Sequence, residues 1–168
     1  MDVNQQGNTP GDGAPAAFLT RAIELAVENV RAGRGGPFGA VIVKDGRIVA
    51  EAANRVTADN DPTAHAEILA IRAASRALDA FHLDGCELYA SCEPCTMCLG
   101  AIFWARIARV YYAAMAADAA RAGFDDAFID RQLELPPESR AIPMRRLATG
   151  RERDPFAAWE QQPGKIPY

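Results

Sequence analysis

The stretch ELYASCEPCTMCLGAIFWARIARVYYA, residues 87–113, decides the fold of this chain. Its ends, 87–90 and 109–113, are short and rich in apolar and aromatic residues, which is typical of buried β-strands. The middle, 94–105, begins with a proline, which is favoured in the first turn of a helix. Two strands that are joined through a helix favour parallel pairing, because a parallel pair needs a long crossover connection. The stretch therefore predicts a layered α/β sheet.

The rest of the chain predicts further elements around this unit. Apolar residues recur at helical spacing over 16–32, and glycines and a proline end this helix. The residues expected to face the core are Phe18, Leu19, Ala22, Ile23, Ala26, Val27 and Val30. The β-prone runs 40–43 and 47–51 flank Lys44-Asp45-Gly46, a hairpin signal, and a loop then leads to a helix over 63–78. Shorter helices are expected over 117–122, 125–132 and 155–162.

The composition indicates a globular chain of one domain, since 49% of its 168 residues are apolar and can form a buried core. Residues 1–15 are rich in glycine, proline and polar residues, and we expect a flexible extension there before a domain over 16–168. These residues do not resemble a signal peptide, and no apolar run is long enough to span a bilayer, so a cytoplasmic location is expected. The formal net charge of −4 favours a small uncharged substrate over nucleic acid, whose binding usually needs a basic face.

Two short motifs carry the candidate chemistry, and each lies at the predicted start of a helix. Cys95 and Cys98 are three residues apart, so their side chains share one face of a helix. Their thiolates and the imidazole of His65 make three ligands for a tetrahedral zinc ion, and a water molecule can take the fourth position, as in catalytic zinc sites. Glu67 can move protons to and from that water. His65 and Glu67 can reach one site if both lie in the first turn of their helix.

Other interpretations of the cysteines stay open from the spacing alone. The three clustered cysteines could belong to an iron–sulfur motif or, with a histidine, to a closed structural zinc site in a binding module. Cys86 is poorly placed as a fourth cluster ligand, and a structural zinc site has no need of Glu67 beside the metal. We expect Cys92 to end its strand outside the metal site and Cys86 to be a buried apolar residue. We expect His82 to lie on the surface or in a loop.

The motif pair, His-x-Glu followed by Pro-Cys-x-x-Cys, resembles the signature of the zinc-dependent base deaminases. That superfamily includes cytidine, tRNA adenosine and guanine deaminases. Outside the motifs, the chain is similar to bacterial guanine deaminases from about Phe18 to Tyr168. The similar stretches are GGPFGA at 35–40, NDPTAHAE at 60–67, SCEPCTMCLGAI at 91–102, WAR at 104–106 and AGFDDAFI at 122–129.

This resemblance implies a three-layer α/β/α cytidine deaminase-like fold with a central mixed sheet of about five strands. It implies the hydrolysis of guanine to xanthine and ammonia, with one zinc ion per subunit held by His65, Cys95 and Cys98 and with Glu67 as the catalytic residue. The implied substrate contacts are Asn54, Phe38, Ala66, Trp104, Asp126 and Tyr168. Asn54 would hydrogen-bond the purine and Asp126 would bind its far polar edge. Phe38 and Trp104 would sandwich the ring.

The resemblance also implies a homodimer in which the C-terminal tail, about 154–168, is exchanged, so that Tyr168 completes the partner's site. Without the resemblance, Asn54 is interpreted as a turn residue and Asp126 as a helix cap, and a terminal tyrosine is usually disordered. Within enzymes, the alternatives are deamination of another amino-purine or nucleoside, such as guanosine or ammeline, and tRNA adenosine deamination.

Overall fold

The structure is a computed structural model that describes residues 13–168, so most of the predicted N-terminal extension lies outside the described residues. The helices are α1 (Gly13–Arg31), α2 (Val56–Asp59), α3 (Ala66–Leu78), α4 (Thr96–Trp104), α5 (Ala116–Arg121), α6 (Ala127–Glu134) and α7 (Asp154–Gln161), with a short 3-10 helix at Pro137–Ser139. The strands are β1 (Gly39–Lys44), β2 (Arg47–Ala53), β3 (Glu87–Cys92) and β4 (Arg109–Ala114). The last residues of the predicted extension, from Gly13, belong to α1.

The strands form one mixed sheet in the order β2-β1-β3-β4. β1 is antiparallel to both β2 and β3, whereas β3 and β4 are parallel, as the 87–113 stretch predicts. The described residues thus contain four strands where about five were expected. After Ala114 they form helices and segments without strands. Pro136, Pro137 and Pro143 fall in that region, and a proline cannot donate a hydrogen bond to a neighbouring strand.

The turn between β1 and β2 has the conformation that its sequence predicts. Asp45 and Gly46 both have positive φ angles, 49° and 71°. Two consecutive positive φ angles are typical of the tight hairpin turns whose twist matches that of the strands. The hairpin sets β2 at the outer edge of the sheet, and Asn54 follows directly after β2.

The two central strands, β1 and β3, are buried on both faces, and alternate side chains contribute to two apolar clusters. Val41, Val43 and Tyr89 pack with Ala22 of α1. Ala40, Ile42, Leu88 and Ala90 pack with residues of α3 and α4. On α3, three alanines at helical spacing, Ala66, Ala70 and Ala74, are fully buried. Side chains this small let the α3 backbone lie close to the sheet, which fixes where the helix begins.

The chain divides into two compact units. The first ends at Asp125 and contains the sheet and helices α1 to α5. The second comprises Asp126–Tyr168 and contains α6, the 3-10 helix and α7. Among the described residues, no helix combines the length and apolar character needed to cross a membrane.

Candidate active site

The starts of α3 and α4 carry the four motif residues. His65 immediately precedes α3 and Cys95 immediately precedes α4, and both have extended backbone conformations. Glu67 lies in the first turn of α3, and Cys98 is the third residue of α4. The predicted placement of both motifs at helix starts is confirmed. The boundary of α4 differs, since the helix begins at Thr96 and Pro94 lies outside it.

Three side chains of these motifs form a compact group of metal-binding type. The ligand atoms of His65, Cys95 and Cys98 all lie within 4.8 Å of one another. Nδ1 of His65 is 3.6 Å from Sγ of Cys95 and 3.5 Å from Sγ of Cys98. Bond lengths of about 2.3 Å for Zn–S and about 2.0 Å for Zn–N, at a tetrahedral angle, separate a sulfur and a nitrogen ligand by about 3.6 Å. Both the donor set and the spacing therefore fit a zinc ion.

The protonation of the two cysteines suits metal binding. The pKa of Cys95 is lowered to about 4, first by the hydrogen bond with Cys98, and a hydrogen bond with His65 lowers it further, although burial acts in the opposite direction. The hydrogen bond with Cys95 and burial raise the pKa of Cys98 far above the usual range. Both cysteines lie at the N-terminus of α4, where the helix dipole stabilises negative charge. Both cysteines would bind a zinc ion as thiolates, and zinc binding would therefore be accompanied by the release of protons.

Glu67 is a buried carboxyl group beside this cluster. It is only 7% exposed, and this burial is the main reason why the pKa of its carboxyl group is raised. Its side chain also hydrogen-bonds to Cys98. A carboxyl group whose pKa is shifted towards neutrality can both take up and release a proton, as general acid–base catalysis requires.

The remaining cysteines and histidine lie outside this group. Cys92 ends β3, as predicted, and its Sγ donates a 3.7 Å hydrogen bond to the carbonyl oxygen of Met115. Cys86 is fully buried in the apolar core, also as predicted. His82 is half-buried, and its Nε2 has no hydrogen-bond partner among the described residues. The geometry therefore disfavours both an iron–sulfur cluster and a closed zinc site with three cysteines.

Two of the predicted substrate contacts lie at the amino end of β1 and the carboxyl end of β2. Asn54 is 6% exposed, and its Oδ1 accepts hydrogen bonds from the N–H groups of Gly36 and Val56, each at 3.2 Å. The ring of Phe38 contacts Phe124 edge to face, with centroids 5.0 Å apart. Sequence reasoning did not assign Phe124 to the site, although this residue is within a stretch that carries the family resemblance.

The other predicted contacts are distributed over both units. Ala66 is fully buried as the first residue of α3. Trp104 is the last residue of α4 and is 67% exposed. Asp126 and Tyr168 belong to the second unit, where Asp126 is half-buried directly before α6 and Tyr168 is exposed. The substrate contacts of all six residues stay predictions.

Comparisons with known proteins agree with this geometry. The family described as the cytidine and deoxycytidylate deaminase zinc-binding region matches residues 14–114. Guanine deaminase of Bacillus subtilis (strain 168) is 57% identical over 151 residues, which are 90% of this chain and 97% of that protein. The X-ray structure of guanine deaminase from Bacillus subtilis superposes with a TM-score of 0.90 at 56% identity, covering 91% of this chain and 98% of that chain.

Two further proteins are similar over a shorter length. A tRNA-specific adenosine deaminase of Agrobacterium fabrum is 51% identical over 101 residues, 58% of this chain and 66% of that protein. A crystal structure in complex with 2,6-diaminopurine superposes with a TM-score of 0.63 at 39% identity, covering 66% of this chain and 62% of that chain. The match to the zinc-binding region and the near full-length similarity establish that this chain belongs to the cytidine and deoxycytidylate deaminase zinc-binding family, within which it is related to guanine deaminase of Bacillus subtilis.

Proposed function

We propose that this chain is a zinc-dependent hydrolase that converts guanine to xanthine and ammonia. The observation that carries the proposal is the group of His65, Cys95 and Cys98 with a buried Glu67 beside it. The choice of guanine is supported by the 57% identity to guanine deaminase of Bacillus subtilis over 90% of this chain.

His65, Cys95 and Cys98 would hold one zinc ion per subunit, and zinc in such a site acidifies a water molecule at neutral pH. The chain's own contribution to the reaction is proton transfer by Glu67. Its carboxylate takes a proton from the attacking water, whose oxygen bonds to C2 of guanine, and delivers this proton to N3. A second proton passes from the water through Glu67 to the amino nitrogen on C2. Ammonia then leaves and xanthine remains.

Substrate binding is assigned to the six predicted contacts. Asn54 hydrogen-bonds the purine, Ala66 lines the site, and Phe38 stacks on the ring with Trp104 on the opposite side. Aromatic faces combined with a few fixed polar groups are the usual means of binding a free base. Asp126 binds the far polar edge, and Tyr168 closes the site against water.

We further propose that two chains form a cytoplasmic homodimer in which the tails, 154–168, are exchanged and each carries Tyr168 to its partner's site. In this organisation, residues 16–168 form one deaminase domain. The domain would have a three-layer arrangement, which is supported by the two apolar clusters contributed by alternate residues of β1 and β3.

The decisive experiment is an ammonia-release screen of the purified zinc protein over guanine, guanosine, adenine, cytosine, ammeline and tRNA. We expect guanine to be the preferred substrate. Release from tRNA or cytosine with none from guanine would reject the choice of base while leaving the deaminase chemistry intact. The tRNA arm tests whether the similarity to tRNA-specific adenosine deaminases extends to deamination of tRNA.

A further inference from the structure

Asn29 is a buried polar residue in the last turn of α1, and it holds two other segments of the chain together. Its side chain is only 2% exposed. Its Nδ2 donates one hydrogen bond of 3.0 Å to the carbonyl oxygen of Gly36 and another of 2.8 Å to the backbone carbonyl oxygen of Asn54. Both N–H bonds of this amide group therefore serve to join the turn before β1 to the end of β2.

Asn54 returns a hydrogen bond to the same turn. Its Oδ1 accepts from the N–H of Gly36, and also from that of Val56. Gly36 is thus bound at both of its backbone polar groups, through its oxygen to Asn29 and through its nitrogen to Asn54. Because Oδ1 already accepts two backbone N–H groups, the N–H bonds of the Asn54 amide are directed away from Gly36 and Val56 and can donate elsewhere.

The glycines of this turn lie close to Asn54 and Phe38. A Cβ atom added at Gly35 would lie 2.3 Å from the backbone oxygen of Asn54. One added at Gly36 would lie 3.3 Å from the ring of Phe38 and 3.5 Å from Cγ of Asn54. The turn that Asn29 holds therefore contacts two of the proposed substrate-binding residues directly.

We propose that Asn29 is a positioning residue for the substrate site, and that it fixes the orientation in which the Asn54 amide donates to the purine. This inference rests on the proposed role of Asn54 in substrate binding. Without Asn29, the buried carbonyl group of Asn54 loses this donor, and the carbonyl group of Gly36 keeps the N–H of Phe38. The turn and the Asn54 side chain are then less firmly held. A small displacement of a substrate-orienting group is enough to weaken binding strongly.

A double-mutant cycle on deamination of guanine by the zinc protein tests the proposal. We expect Asn29→Ala to reduce kcat/KM by roughly tenfold to a hundredfold, mainly through KM, with one zinc per chain retained. In an Asn54→Ala background the same substitution should have almost no further effect on kcat/KM, because the side-chain amide that Asn29 positions is absent. Asn29→Ser, with a single hydroxyl donor, should show a smaller loss of kcat/KM than Asn29→Ala. If Asn29→Ala does not fold, Asn29→Ser takes its place in the cycle. Leu19→Ala, which weakens packing on the same helix away from the turn, should leave kcat/KM unchanged.

Amide hydrogen exchange gives a second readout that does not depend on activity. Asn29→Ala should speed exchange at Gly36 and Val56, the two donors to Asn54, and leave the pairing of β1 with β3 protected. Equal losses of kcat/KM in both backgrounds, or unchanged exchange at Gly36 and Val56, would overturn the inference. If the unmodified protein does not deaminate guanine, the proposed function fails, and the exchange experiment still decides whether Asn29 holds the Asn54 amide.

Discussion

Glu67 is the residue on which the proposed chemistry depends most directly, because it is the buried acid–base group beside the metal cluster. We predict that Glu67→Gln keeps one zinc per chain but lowers kcat by about 10²- to 10⁴-fold, since an amide cannot take up and return a proton. Steady-state ammonia release and metal analysis would measure both effects.

Glu93→Gln is a matched control for this substitution. Glu93 follows β3, and its carboxylate accepts a hydrogen bond from the backbone N–H of Ala116 at 3.0 Å. Glutamine can accept the same bond, so this variant should turn over almost normally. Near-normal turnover by Glu67→Gln would contradict the assignment of the proton carrier.

The cysteines differ in their distance from the metal group although three of them fall within seven residues of sequence. Cys98 is within the group, whereas Cys92 hydrogen-bonds to Met115. We predict that Cys92→Ala keeps one zinc per chain and that Cys98→Ala loses most of it, because two ligands bind the metal far less tightly than three. Metal analysis after gel filtration would distinguish the two. Loss of zinc from Cys92→Ala would require a different ligand set.

At the level of single helices and strands, the close contact of α1 with β1 depends on Gly39. A Cβ atom at Gly39 would lie 2.2 Å from the oxygen of Ala22 and 2.9 Å from the nitrogen of Ala26, both backbone atoms of α1. We predict that Gly39→Ala lowers the free energy of unfolding by about 3 kcal/mol or more, because the helix must move off the sheet. Denaturant unfolding of both proteins would measure this change in the free energy of unfolding.

Gly100→Ala is the matched glycine control. Gly100 is in α4, and a Cβ atom there meets nothing within 4 Å. This substitution should be neutral or stabilise the protein by up to about 1 kcal/mol, since alanine favours helix. A similar loss of stability in both variants would show that the α1–β1 contact does not cause the loss in Gly39→Ala.

Arg21 and Glu51 join α1 to β2 at the edge of the sheet. The guanidinium group donates two hydrogen bonds to the carboxylate, of 3.0 and 2.7 Å, and these lower the pKa of Glu51 below 4.5. A lowered pKa in the folded state contributes stability above the unfolded value of 4.5 that is lost as the pH falls through the folded value.

We therefore predict that Glu51→Gln lowers the free energy of unfolding at pH 7 by about 0.2–1 kcal/mol, a small effect because both side chains are about one-third exposed. The difference from the unmodified protein should disappear as the pH falls below the lowered pKa of Glu51. Glu28→Gln, which removes a longer 3.4 Å contact with the same arginine, should have a smaller effect. An unchanged difference at acid pH would contradict the role of the ion pair.

The α1 helix also shows that helical periodicity alone does not identify the face that packs on the sheet. Phe18, Leu19 and Ala22 pack on the sheet as predicted, whereas Ile23, Val27 and Val30 are 41%, 41% and 50% exposed. Ala26 is buried, also as predicted, and the polar Asn29, which was not expected to face the core, is buried as well. Periodicity marks apolar positions, but the face that packs is the one whose small residues allow close approach to Gly39.

For the whole molecule, the proposed tail exchange predicts complementation between two inactive chains. Glu67→Gln retains its tail, and a chain lacking 154–168 retains Glu67, so a mixed dimer has one complete site only if the tail crosses to the partner. Co-expression at equal amounts should restore about a quarter of the normal activity, since half of the dimers are mixed and each has one working site. Activity equal to the sum of the separate variants would show that the tail serves its own subunit.

The sequence by itself determined the sheet elements, the hairpin and the four motif residues. These depend on signals within a few residues of one another: apolar alternation, the conformational freedom of Gly46, and the zinc affinity of thiolate and imidazole groups. Its resemblance to known deaminases added the candidate substrate contacts, which no local pattern distinguishes from turn or cap residues.

The tertiary structure decided how distant segments meet. It brought His65 within 3.6 Å of cysteine sulfurs 30 and 33 residues away, left Cys92 outside that group, and paired Phe38 with Phe124. It also placed a polar Asn29 in the interior, where its amide hydrogen-bonds to segments 7 and 25 residues away. Such contacts form because buried polar groups must find partners and small side chains allow close packing, and neither condition can be evaluated until the chain has folded.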